Sequence, residues 1–232
     1  MQFIYDNLVA TLVAMTLGLA LVGQNAQNRQ ATLERQAVYH TKAQALGFGE
    51  WVEDDVVKLG ARFGRARDRF ETETETIGGI PYTRSFEFYY HETTVSDSVV
   101  QRVEIKYELV EDDATRLVVE RGVTAADDVT LQSYDLVRSM RTGRYNTKQR
   151  DWVGTDPAWA VTDEYRSPKG LRYFYIEPRD SDGQRVPDEL SEEADYVRIE
   201  FVVMPTLFPL HRARLIPKAG LNWGTTIEIR PF

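Results

Sequence analysis

The chain has 232 residues, 42% of them hydrophobic and 28% charged, and carries a formal net charge of −8 at pH 7. That balance is globular rather than disordered, and the acidity disfavours a general nucleic-acid binder, which needs a basic stripe facing phosphate. The absence of cysteine excludes disulfides, thiolate metal sites and cysteine nucleophiles together; His40, His91 and His211 are scattered without zinc-ligand spacing.

The N-terminus decides the class. No charged residue lies between Asn7 and Asn28, and Leu8 to Val22 is almost wholly apolar. A helix from Phe3 to Val22 spans about 30 Å, the hydrocarbon thickness of a bilayer. Inside a soluble protein it would need burial on every side. A cleaved signal peptide is the first rival, and Gly18, Ala20 and Gly23 offer small residues for a cleavage site. Such peptides open on a positive charge, whereas Met1 to Asn7 contains an acid and no Lys or Arg. The expectation is a retained single-pass anchor. Arg29, Arg35 and Lys42 follow the span and by charge bias favour the inside. From Gln24 to Leu46, Ala26, Leu33, Ala37, Val38, Ala45 and Leu46 keep a rough helical spacing, predicting that the helix continues with an amphipathic half. Gly47 and Gly49 predict a break or kink. A second helical stretch follows over Glu50–Leu59, with Trp51, Val52, Val56 and Leu59 on one face.

After Arg69 the period changes from helical to alternating. Phe70–Ile77 alternates Thr and Glu and ends on a Gly78-Gly79 turn. Phe86–Tyr90 is strand-like. Val99–Val110 alternates around Val103, Ile105, Tyr107 and Leu109; Glu111-Asp112-Asp113 then predicts a turn and Leu117–Glu120 the answering strand of a hairpin. Val123–Arg141 reads as either strand or short helix. Arg144–Lys169 reads as an extended loop holding Trp152, Pro157, Trp159 and Pro168. Leu171–Ile176, Tyr196–Met204 and Thr225–Ile229 read as strands, with a turn at Asp180–Gly183 and a Pro-rich connection from Pro205 to Pro217. The predicted fold class is α+β: a long N-terminal hydrophobic helix over 1–69, then an antiparallel β-sheet head over 70–232.

This arrangement resembles the type IV pilin and type II secretion pseudopilin superfamily, especially its larger minor members. The resemblance rests on the hydrophobic helix that begins almost at residue one and on Asp6, an acid near its start, where these families place a glutamate. It rests further on the helix end Trp51-Val52-Glu53-Asp54-Asp55-Val56-Val57-Lys58-Leu59-Gly60 and on the order of the strands around Val103–Leu109, Arg116–Val118, Leu171–Tyr175, Val197–Phe201 and Ile227–Arg230. The chain departs from the families at Tyr5-Asp6-Asn7, where they carry Leu-Ile-Glu. The resemblance implies a structural subunit that assembles through Phe3, Asp6, Leu8, Leu12 and Leu19. Its partners would be copies of itself or related subunits, with the membrane before assembly and no nucleic acid. It implies the cell envelope as location, and an extracellular or periplasmic filament after assembly. An acid in lipid costs roughly 2–4 kcal/mol; Asp6 is offset either by a neighbour's amino terminus, as the resemblance implies, or by capping the helix start.

Three further groups carry possible chemistry. Asp180-x-Asp182-Gly183 has the opening of a calcium loop, with Glu189, Glu192 and Glu193 near enough in sequence to contribute, but it is also a common turn. Asp54/Asp55 and Asp112/Asp113 are paired carboxylates of the sort glycosidases use, yet neighbouring acids normally point apart into solvent. Trp152 and Trp159, on a loop, are candidates for a subunit or ligand contact. No serine elbow, P-loop or dinucleotide loop is present, so the expectation is a non-enzyme. The alternative to a filament subunit is a monomeric anchored protein whose β domain binds a carbohydrate or protein.

Overall fold

A computed structural model of the chain describes residues 2–60, 70–120, 129–162, 167–187, 194–204 and 221–228. Within these stretches the side chains of 2–6, 34, 60, 113–120, 129–131 and 221 are outside the described set. The architecture is α+β, a long N-terminal helix followed by a nine-stranded antiparallel sheet. Helix α1 spans Gln2–Val57 and closes in a single 3-10 turn, Lys58–Gly60. Two compact units divide the chain, Met1–His40 and Thr41–Phe232.

In the second unit the sheet runs in the order β1 (Phe70–Ile77), β2 (Ile80–Ser96), β3 (Val99–Glu120), β4 (Val129–Asn146), β7 (Leu171–Arg179), β8 (Tyr196–Val203), β9 (Leu221–Glu228). Two-residue strands β5 (Asp151–Trp152) and β6 (Ala160–Val161) each pair with β4 off this path. The Gly78-Gly79 turn works because both residues take positive φ, 60° and 83°, which the twist of a tight hairpin demands; Ile77 and Ile80 close it in register.

Period-2 alternation then sorts the side chains. Phe86, Phe88, Val103, Ile105, Tyr107, Leu109 and Leu136 share the core face, and Glu87, Glu104, Lys106, Glu108 and Arg141 share the outer one. Against the core face lies the last part of α1. Val52, Val56 and Leu59 are fully buried, Phe48 meets Phe201 edge-on at 4.9 Å between ring centroids, and Trp51 meets Tyr107 at 5.6 Å.

β4 and β7 share one paired position, Tyr134↔Leu171, among the described residues. The junction is completed by side chains. The Thr83 hydroxyl accepts from Ile176 N at 2.8 Å and lies 3.4 Å from Ile176 O, to which it donates. Tyr82 fits its ring between Tyr134 and Tyr173 at 5.7 and 5.1 Å.

Several local expectations are corrected. Gly47 and Gly49 do not break α1, which is helical through both. Gly49 is instead a point of close approach, since a Cβ there would overlap the indole of Trp223. No turn forms at Glu111-Asp112-Asp113, because β3 continues to Glu120. A register shift between Glu111 and Arg116 absorbs the irregularity, as a bulge does. The ambiguous stretch is strand β4 from Val129 onward, its first residues, 123–128, lying outside the described set, and the predicted loop after Arg144 opens inside that strand and carries β5 and β6. The connection from Pro205 to Pro217 lies outside the described residues.

Candidate functional site

Leu8, Val9, Leu12, Val13, Met15, Leu17, Leu19, Leu21 and Val22 all lie on the helix surface of the first unit, from 50% exposed at Val13 to 73% at Leu19. At about 100° per residue these positions fall on every side of the helix. The two hydroxyls among them are satisfied internally. Thr11 donates to Asn7 O at 2.7 Å and Thr16 to Val13 O at 2.9 Å, so neither brings an unpaired donor to the surface. Burying each Leu, Val or Met is worth about 1.5–3 kcal/mol, and backbone satisfied within the segment is what hydrocarbon requires. The helix is long and apolar enough to cross a membrane. Of the residues singled out for assembly, Leu8, Leu12 and Leu19 are exposed on this helix; the side chains of Phe3 and Asp6 lie outside the described residues.

The helix is held to the sheet by a buried charge. Asp55 shares its face with Val52, Val56 and Leu59 and is 2% exposed, while neighbouring Asp54 faces solvent. Its carboxylate accepts from Tyr107 Oη at 2.6 Å, from Arg138 Nε and Nη2 at 2.7 and 3.3 Å, and from Lys58 Nζ at 3.1 Å. Burial would lower the Arg138 pKa, but the hydrogen bond and charge of Asp55 outweigh it and raise it. The Tyr107 hydroxyl is pushed well above its usual value by burial and by Asp55 beside it, so it stays a donor. Removing one partner of such a pair costs about 3–5 kcal/mol, because the other charge is stranded. The expectation of two solvated acids is therefore corrected for Asp55. The spacing of Val52, Val56 and Leu59 was the signal that could have placed it inward.

On the outer face a second buried carboxylate, Glu104, holds two guanidiniums, Arg102 at 2.5 Å and Arg141. Aromatic rings layer over both cations. Arg102 lies 3.5 Å from the Tyr89 centroid and 4.2 Å from Tyr145, and Arg141 lies 4.5 Å from Trp159 and 5.4 Å from Trp152. Trp152 also rests on Gly143, where a Cβ would come within 3.1 Å of the indole. The loop tryptophans are thus brought together, but as the cover of this arginine pair. Trp152 is half-buried and Trp159 keeps 36% exposure. Nearby, burial and then the Glu104 charge raise the Glu87 pKa, and burial and then Arg102 lower that of His91.

Asp180 and Asp182 form a turn. Asp180 Oδ1 accepts from the backbone N of Asp182 at 3.0 Å and of Gln184 at 2.8 Å, with Gly183 at φ 76°. No group of three metal-ligating side chains occurs among the described residues; Glu189, Glu192 and Glu193 lie outside them. Asp112 is buried and accepts from Lys169 Nζ at 3.3 Å, a cation that also reaches Asp135 at 3.0 Å. This corrects its reading as a solvated turn acid. The side chain of Asp113 lies outside the described residues. Comparison with known proteins finds no family model, no curated protein and no solved structure that matches the chain.

Proposed function

We propose that this chain is a structural subunit of a pilus-like or pseudopilus-like filament, held in the membrane by its apolar helix before assembly and polymerising through that helix. One observation carries the reading: the Leu8–Val22 surface is apolar on all sides and exposed on all sides, so it needs lipid or other helices around it. The second part of α1 and the turn that closes it support it, since Val52, Val56 and Leu59 give the β domain part of its core and Asp55 ties the helix to β3 and β4. The resemblance to pilins adds the expectation that Asp6 meets a neighbouring amino terminus. On this reading the protein works by assembly rather than turnover, and takes no cofactor; calcium at Asp180 and Asp182 is the one cation its loops suggest.

The same observation favours a second reading, a monomeric single-pass protein whose β domain binds a partner outside the membrane. Electron microscopy of material sheared from producing cells, with mass spectrometry of what it contains, separates the two. Filaments built of this chain are the expected result. Recovery of the chain only as a monomer in the membrane fraction overturns polymerisation and leaves the anchored domain.

A further inference from the structure

We propose that residues 151–162 form a strap whose seating on the sheet is coupled to the seating of α1, with Arg138 as the coupling residue. The inference concerns the second unit and holds whichever role the apolar segment has.

The geometry is that of one guanidinium shared between two elements. Arg138 gives Nε and Nη2 to Asp55 on α1, at 2.7 and 3.3 Å, and Nη1 to Thr162 Oγ1 at the strap's end, at 2.9 Å. The Thr162 amide returns a bond to Arg138 O at 2.9 Å, so side chain and backbone close a ring at this one position. A planar fork fixed by a carboxylate on one side has its remaining donor aimed in one direction. That donor meets Thr162 only while Asp55 holds the other two.

The rest of the strap is held by short or exposed contacts. It pairs with β4 through two-residue strands β5 and β6, adds a bond from Val153 N to Arg144 O at 2.8 Å and an exposed ion pair from Arg141 Nη1 to Asp156 Oδ1 at 3.5 Å, and rests Trp152 on Tyr145 and both tryptophans on the arginine pair. Val153, Asp156 and Val161 are exposed. Few buried apolar contacts and short ladders are what place an element at the low end of local stability. When α1 withdraws Asp55, Arg138 loses its carboxylate and turns toward water, Thr162 loses its donor, and the strap lifts from Gly143. The buried Glu104 with Arg102 and Arg141 then becomes an open charged surface. Coupling of this kind is reciprocal, so anything that pins the strap also holds the helix in place.

Hydrogen exchange of the full chain in detergent micelles, resolved to single amides, tests this with Asp55→Asn, Tyr107→Phe and Thr162→Val. Asp55→Asn is expected to speed exchange at Val153 and Thr162 by on the order of tenfold, while the β7–β8 ladder keeps its protection. Tyr107→Phe removes one hydrogen bond from Asp55 and spares the ion pair; about a fivefold rise is expected from it, and it stands alone if the asparagine variant does not fold. In the Thr162→Val background both substitutions should leave the strap unchanged, since the link they act through is already cut. Unchanged strap exchange in the single variants overturns the proposal. So does a rise that is equal in the Thr162→Val background, or one shared by every strand.

Discussion

The carboxylates of this chain show how one residue type acquires different energetics from its neighbours. Glu87 faces Glu71 across the β1–β2 register and Lys106 across β2–β3, with Glu104 and Arg141 close by. Burial and Glu104 win, and its pKa is raised. An acid whose folded pKa is raised binds its proton more tightly in the native state. Its contribution to stability is therefore largest below the unfolded value of 4.5 and is lost as pH rises through the folded pKa. Glu87→Gln is expected to raise the thermal midpoint at pH 7 and to give no gain below pH 4.5, in a melting series run across that range. His91 works the other way: its pKa is lowered from 6.5, so stability is lost as pH falls below that value. Gly49 tests shape instead of charge. A methyl there meets the Trp223 indole, itself stacked on Phe201 at 4.8 Å, and Gly49→Ala is expected to cost about 1–3 kcal/mol by overpacking, measured by denaturant titration.

At the scale of elements, the sheet is two meanders, β1–β4 and β7–β9, stitched among the described residues by one ladder position, by Thr83 and by the Tyr82 ring. Thr83→Val keeps the shape and strands the Ile176 amide and carbonyl, at a cost of about 1–3 kcal/mol; faster hydrogen exchange at Ile176 should report it. Much of this layout was legible in the sequence. The change from helical to alternating period at Phe70, the Gly78-Gly79 hairpin and the β7 and β8 strands each follow from a local pattern. Other features had no local signature. Asp112 looks like a turn residue because the lysine that donates to it lies 57 residues further on. Asp55 is disguised by its exposed neighbour, and only the helical phase of Val52, Val56 and Leu59 distinguishes the two. Gly49 reads as a helix breaker because the tryptophan it accommodates is on the farthest strand of the sheet. Trp152 and Trp159 are conspicuous in sequence, but the arginines beneath them are set by the register of β3 against β4.

For the molecule as a whole, the apolar segment and the sheet domain make separate demands on solvent. Leu12 and Leu19 lie 58% and 73% exposed in the first unit, and none of the segment's most apolar window is buried. A chain carrying Leu12→Arg and Leu19→Arg should lose membrane retention, because an arginine at the helix centre, as at position 12, costs about 2.5–3.5 kcal/mol on insertion scales and the second adds to it. Alkaline extraction of membranes would show it, with the substituted chain moving to the soluble fraction. Retention of the doubly substituted chain would exclude insertion of this segment.

The burial of Phe48 between residues of β7 and β8 has a consequence for the order of events during synthesis. Phe48 is made early, yet its ring partners Phe174 and Phe201 come more than a hundred residues later, and Trp223 arrives against Gly49 later still. Translation adds about 5–20 residues per second, so this stretch of helix waits roughly 6 to 35 seconds for its permanent cover. The apolar segment ahead of it in the sequence emerges earlier and, on the proposed reading, needs a non-aqueous home throughout that interval. On the proposed reading, the chain's commitment to lipid or to neighbouring helices thus precedes the completion of its own sheet.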